Sequence, residues 1–163
     1  MYVMMNTTGS YILKLKPLAL IVLAMVSCSA QKKQSAPPIT QGINGYIYQV
    51  TGNQMPMKGK PVQRHGKGIV REVWIYQATT AQQVQGQMPL FNKINTRLAI
   101  KVTSDSTGHY QAALPAGLYS VFVKEGEQFF ASETDGPGII NPAQVVEGKV
   151  TNRNVTVNIG AAY

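Results

Sequence analysis

Cysteine occurs once in this 163-residue chain, at Cys28, so no disulfide can close within it and the fold must hold by packing alone. Histidine occurs twice, at His65 and His109, and tryptophan once, at Trp74. Two histidines make a zinc site only with ligands drawn from Asp or Glu. No H-E-x-x-H, G-x-S-x-G, Walker or dinucleotide fingerprint is present. No catalytic residue, cofactor or metal is therefore expected, and the chain reads as a non-enzyme. Acidic residues are scarce in the first half, where none precedes Glu72. The apolar run Leu18 to Val26 is shorter than the ~20 residues that span a bilayer. A long helical period is also missing.

What the chain does have is turn and strand chemistry. It carries 15 Gly, 9 Pro and 8 Tyr, with frequent Val, Ile and Thr, a composition that favours a sheet sandwich or barrel. The formal charge is +8, to which Lys14 and Lys16 contribute. Residues 28–101 carry ten Lys or Arg against Glu72 alone, whereas residues 102–163 carry three against six Asp or Glu. A basic half near a membrane attracts anionic lipid or polysaccharide, although a solvated, solubilising surface is the ordinary role of such charge. No nucleic-acid partner is expected.

The first 27 residues have the order of an export signal. Lys14 and Lys16, with no acid, precede the apolar run, and small residues follow it. Met25-Val26-Ser27-Cys28 resembles a bacterial lipobox, with Met25 where leucine is usual. That resemblance implies diacylglyceryl transfer to the Cys28 thiolate, then cleavage that frees the Cys28 amine for a further acyl chain. Several acyl chains anchor stably where one is marginal. Residues 28–41 lack apolar periodicity and contain Pro37-Pro38, so they read as an extended tether. Ser29 resembles the outer-membrane retention signal of Gram-negative lipoproteins. The side of the outer membrane that the domain faces, periplasm or cell surface, stays open, because Lys32-Lys33 departs from the acidic surface-export pattern.

Residues 42–163 form the expected domain. Ile43 to Val50 is a strand with β-branched and aromatic residues on both faces. Residues 51–69 read as a long loop. Val70 to Tyr76 is a strand with Glu72, Trp74 and Tyr76 on one face and Val73 and Ile75 on the other. Trp74 is either an exposed platform for a sugar ring or a packed residue, the commoner fate of the only Trp in a small domain. Residues 78–95 are polar, Gln-rich and read as a second long loop, with Pro89-Leu90-Phe91 in its middle. Leu90 and Phe91 either plug the end of a sandwich or anchor a partner; with Trp74 they are the candidate interaction surface. Further strands are expected over 98–103, 128–132, 143–146 and 155–159.

The stretch Ser104 to Val123 reads as a central hairpin. Asp105-Ser106-Thr107-Gly108 supplies turn chemistry, Tyr110, Ala112 and Leu114 alternate as a strand, and Pro115-Ala116-Gly117 breaks the run before Tyr119, Val121 and Val123 resume it. The pattern Ser104, Asp105, Gly108, Tyr110, then Leu114, Pro115, Gly117, Tyr119 resembles the hairpin of the carboxypeptidase regulatory-like domain, a transthyretin-like (prealbumin-like) sandwich. The resemblance implies an all-β, antiparallel sandwich of about seven strands in a mostly non-catalytic family of accessory or ligand-presenting domains. Gly45-Tyr46-Ile47 is a looser match to the family's first strand. The catalytic relative, hydroxyisourate hydrolase, ends in Tyr-Arg-Gly-Ser; here the end is Gly160-Ala161-Ala162-Tyr163, which does not support that activity. The hairpin through Tyr163 also looks like small lipoproteins of Bacteroidetes. The implied protein is an outer-membrane lipoprotein whose domain contacts an envelope protein or a glycan. The glycan alternative rests on Trp74, Tyr46, Tyr48 and the basic half.

Overall fold

The computed structural model describes residues 37–55 and 66–162. The expected export signal, Cys28, most of the expected tether and His65 lie outside the described residues.

Two long strands organise the rest. The first, β1 (Gly42–Gln49), is followed by the short β2 (Gly52–Asn53) and β3 (Lys67–Gly68), then by β4 (Glu72–Gln77). A 3-10 turn at Ala81–Gln83 leads to β5 (Val84–Gln87), β6 (Leu90–Ile94) and β7 (Leu98–Thr103). Next come β8 (His109–Ala113) and the second long strand, β9 (Gly117–Glu125), then β10 (Gln128–Phe130) and β11 (Pro142–Val145). The chain closes with β12 (Val150–Asn152), β13 (Val155–Val157) and β14 (Ala161–Ala162). The all-β expectation holds. The described residues hold fourteen strands rather than about seven: the two segments read as loops contain β2, β3, β5 and β6, and the short β12 and β14 lie towards the end of the chain.

In the five-stranded sheet β1 is central. One of its edges pairs antiparallel with β8 and β3, and the other pairs parallel with β12 and β13. In the seven-stranded sheet β9 lies between β4 on one side and β10 and β11, end to end, on the other. The order there is β5-β6-β10-β9-β4-β7. All its pairings are antiparallel; β1–β12, β1–β13 and β2–β14 are the parallel exceptions to the antiparallel expectation.

The core lies between the two sheets. Ile43 and Ile47 of β1, Tyr110 and Ala112 of β8, and Val155 and Val157 of β13 meet Val73 and Ile75 of β4 and Val121 and Val123 of β9. These alternate residues are buried because successive side chains of a strand point to opposite faces. A second cluster, Tyr76, Phe91, Ile94, Phe122, Phe129, Ala131 and Ile140, contains the other face of β4 and β9. The seven-stranded sheet is therefore apolar on both faces, as the alternation of Val121 and Phe122 requires.

The predicted central hairpin is corrected. β8 pairs with β1 in one sheet, and β9 pairs with β4, β10 and β11 in the other. Leu114-Pro115-Ala116 is a corner that carries the chain from sheet to sheet, with Leu114 buried in the shared core. Turn residues mark where a chain changes direction, but not which strand it next pairs with.

Each long strand changes partners part-way along an edge, and an asparagine fills both gaps. Between β12 and β13 the chain bulges at Arg153, whose N–H donates to the Asn44 carbonyl at 2.7 Å, while the Asn154 side-chain oxygen accepts the Tyr46 N–H at 2.9 Å. Gly45 faces this bulge. A Cβ there would sit 1.9 Å from the Arg153 carbonyl oxygen, so only glycine lets the two backbones approach. On β9 the gap lies at Val121. Its N–H donates to the Asn141 carbonyl at 3.0 Å, and its carbonyl accepts from Asn141 Nδ2 at 3.1 Å. Strand edges need their polar groups paired when buried, and these residues do what a ladder would otherwise do.

Candidate functional site

The expected surface of Trp74, Leu90 and Phe91 does not form as a patch of free side chains. Trp74 on β4 stands opposite Lys101 of β7 and Phe122 of β9. Its ring meets Phe129 edge-on at 5.2 Å and lies 6.4 Å from Tyr76. The indole N–H donates to Glu72 Oε2 at 3.1 Å, and Lys101 Nζ sits 5.0 Å over the ring. Trp74 is thus half-buried in an aromatic cluster, nearer to the packed alternative. Phe91 is 3% exposed and packs edge-on against Phe122, so it is a core residue rather than a partner anchor. Leu90, half-buried, faces the other way and packs on the inter-sheet core. The reason is that residues 84–94 are not loop: β5 and β6 fold back as a pair and β6 joins β10. Gln83 helps to fix the approach by accepting the Thr80 N–H through its side chain at 3.0 Å.

The residues of the Ser104–Tyr119 motif have separable structural roles. One Asp105 carboxylate oxygen accepts from Thr107 N–H at 2.8 Å, Thr107 Oγ1 at 2.6 Å and His109 N–H at 3.0 Å. The Thr107 hydroxyl, ahead of the backbone donors, holds the Asp105 carboxyl below its usual range. Gly108 closes the turn at φ 86°, where a Cβ would meet the Ile47 carbonyl oxygen at 2.3 Å. Tyr110 is 1% exposed, and its hydroxyl donates to the Arg153 carbonyl at 2.6 Å; burial raises it well above an ordinary phenol. Tyr119 donates to the Pro115 carbonyl at 3.0 Å across the corner, and its ring lies beside Gly117. Asp105 to Tyr119 therefore shape a turn and a corner.

Two of the buried polar side chains, Ser104 and Asn141, have roles that the sequence pattern does not announce. Ser104, 2% exposed, accepts the Arg71 N–H and donates to the Ile69 carbonyl, both at 2.8 Å, which ties the start of β4 to the end of β7. Asn141, 1% exposed, bonds the Val121 carbonyl and the Glu133 N–H through its side chain. Among the described residues, no three His, Cys, Asp or Glu side chains gather as metal ligands, and no helix is long and apolar enough to cross a membrane.

A different set of aromatics does come together, on the outer face of the five-stranded sheet. Ile43, Gly45 and Ile47 point inward, so Asn44, Tyr46 and Tyr48 point outward. The Tyr46 and Tyr48 rings stack with centroids 5.8 Å apart and planes 15° from parallel. His109, opposite Tyr46 on β8, adds a third ring at 5.2 Å. Tyr46 is 37% exposed. Trp74 belongs to the other sheet and is not part of this face.

No protein-family model, curated protein or solved structure matches this chain.

Proposed function

We propose that the protein is a lipid-anchored component of a bacterial outer membrane, tied there through Cys28. Its strand domain is a non-enzymatic interaction or scaffold module of the carboxypeptidase regulatory-like, transthyretin-like type. The observation that carries this reading is the placement of the only cysteine. It lies two residues beyond the apolar run Leu18 to Val26, in Met25-Val26-Ser27-Cys28, and the first strand begins only at Gly42. The intervening 28–41 are long enough to hold a domain off a lipid surface.

The end of that tether is clamped, which supports a division of labour between anchor and domain. Gln41 donates to the Leu114 carbonyl at 2.9 Å and accepts the Gly148 N–H at 2.8 Å, so the chain enters the domain beside the sheet-to-sheet corner. Pro37 accepts from the Gln111 side chain at 2.7 Å.

Growth with labelled palmitate, followed by membrane fractionation, tests the proposal. The wild type is expected to carry label and sediment with outer membranes. Cys28→Ala is expected to take none and to leave the membrane fraction while keeping a strand-rich circular dichroism spectrum. An unlabelled wild type, or a Cys28→Ala protein still bound to membrane, contradicts anchoring. The module part is checked by cross-linking in intact cells, where only monomer would contradict it.

A further inference from the structure

We propose that the outer face of the five-stranded sheet, centred on Tyr46 and Tyr48, is a binding platform for a neutral oligosaccharide. This rests on the reading of the domain as an interaction module and names its ligand class.

The face is built in rows across β1. Tyr48 stands opposite Gly68 on one side and Thr156 on the other. Tyr46 stands opposite His109, with Asn154 bonded to its N–H on the far side. Asn44 stands between Gln111 and Asn152 and accepts from the Asn152 amide at 3.2 Å. Side chains directly opposite across paired strands share a face and lie within contact reach. The result is a strip of three aromatic rings bordered by amides and a hydroxyl.

Charge decides the ligand class. No Asp, Glu, Lys or Arg stands in any of these rows, although the chain as a whole carries +8. A polyanion would be recognised by Lys and Arg, and a cationic peptide by carboxylates. An apolar helix or strand would leave the bordering amides facing apolar groups, at a cost. A neutral sugar chain suits both parts of the face. Its C–H faces lie against aromatic rings, and its hydroxyls both donate and accept, as do Asn and Gln side chains. Gly68, opposite Tyr48, is fixed as glycine, because a Cβ there would meet the Thr107 carbonyl oxygen at 1.8 Å.

The test is isothermal titration calorimetry on the full-length protein, solubilised in a detergent without a sugar headgroup. The probes are neutral hexasaccharides of glucose, mannose and xylose in β-1,3, β-1,4 and α-1,4 linkage, with polygalacturonate as the anionic comparison. At least one neutral hexasaccharide is expected to bind, with affinity unchanged from about 0.05 to about 0.5 M NaCl. Tyr46→Ala is expected to weaken it at least about tenfold, and Tyr46→Phe, which keeps the ring, by less than about threefold. Thr156→Arg, at an exposed strand position, is a second variant that blocks the face and is expected to weaken binding comparably. No binding of any neutral hexasaccharide, binding of polygalacturonate alone, or full affinity in both Tyr46→Ala and Thr156→Arg overturns the proposal. Because the protein is solubilised, the outcome is independent of the palmitate result, and either reading can fail without the other.

Discussion

Replacing Asn141 by alanine probes the gap in β9 where a side chain takes the place of a strand. Asn141 is 1% exposed at φ 40°, and its amide donates to the Val121 carbonyl while its Oδ1 accepts the Glu133 N–H at 3.0 Å. Truncation leaves both partners without those bonds. The Glu133 N–H is part-buried and Val121 is 0% exposed, so the Val121 carbonyl bears most of the penalty. An orphaned buried group costs about 1–3 kcal/mol. Alanine in the left-handed region adds about 1 kcal/mol. The expected loss is therefore about 2–4 kcal/mol, a large share of the 5–15 kcal/mol typical of a domain. Urea unfolding followed by Trp74 fluorescence reads it as a fall in midpoint of roughly 1–2 M for a slope of about 2 kcal/mol per M. Asn141→Gly relieves the backbone term and is expected to be about 1 kcal/mol milder than alanine. Asn141→Asp sets a carboxylate oxygen against the Val121 carbonyl and is expected to cost at least as much as alanine at neutral pH. An Asn141→Ala protein within about 0.5 kcal/mol of wild type would refute the reasoning, since the lost bonds could not then carry about 1 kcal/mol each.

At Gly45 the added Cβ of Gly45→Ala meets backbone at 1.9 Å, so the β1–Arg153 crossing must open, and a loss of at least about 2 kcal/mol is expected in the same urea assay. Gly117→Ala is the contrast: the nearest atoms belong to the Tyr119 ring at 3.4 Å, and a change below about 1 kcal/mol is expected. Alkaline stability follows from Tyr110. Burial raises its hydroxyl above the ordinary value of 10.0, so the folded chain keeps a proton that the unfolded chain releases. That contribution is intact below pH 10.0 and is lost as pH climbs toward the folded value, by up to about 1.4 kcal/mol per pH unit. Tyr110→Phe is expected to flatten that part of the decline. Equal slopes for the two proteins above pH 10.0 would contradict the burial argument.

Strands with residues of alternating character were legible in the sequence: β1, β4, β7 and β13 follow the period-two pattern of Ile43/Ile47, Val73/Ile75, Ile100/Val102 and Val155/Val157. What escaped was pairing. Val150–Asn152 lies beside Gly42–Asn44, more than a hundred residues earlier, and no local pattern records that partnership. The strands within 84–94 escaped for another reason. Val84 to Gln87 is largely exposed, so its sequence is polar and resembles loop, although its backbone pairs with β6. The aromatic face was half visible. Tyr46 and Tyr48 are an i, i+2 pair on one strand, but His109 reaches them only through the β1–β8 register, and Trp74 had to be removed from the set by the structure. The bonds that Asn141 and Asn154 make at strand edges were not legible, because an asparagine that completes a strand edge looks in sequence like one in a turn.

The anchoring claim is tested most directly by the intact mass and amino-terminal peptide of the protein extracted from outer membranes. The account predicts a mature chain whose first residue is Cys28, carrying a thioether diacylglyceryl group and an acylated amine. A mature chain that starts beyond Cys28, or one that starts at Cys28 with a free thiol, would contradict it.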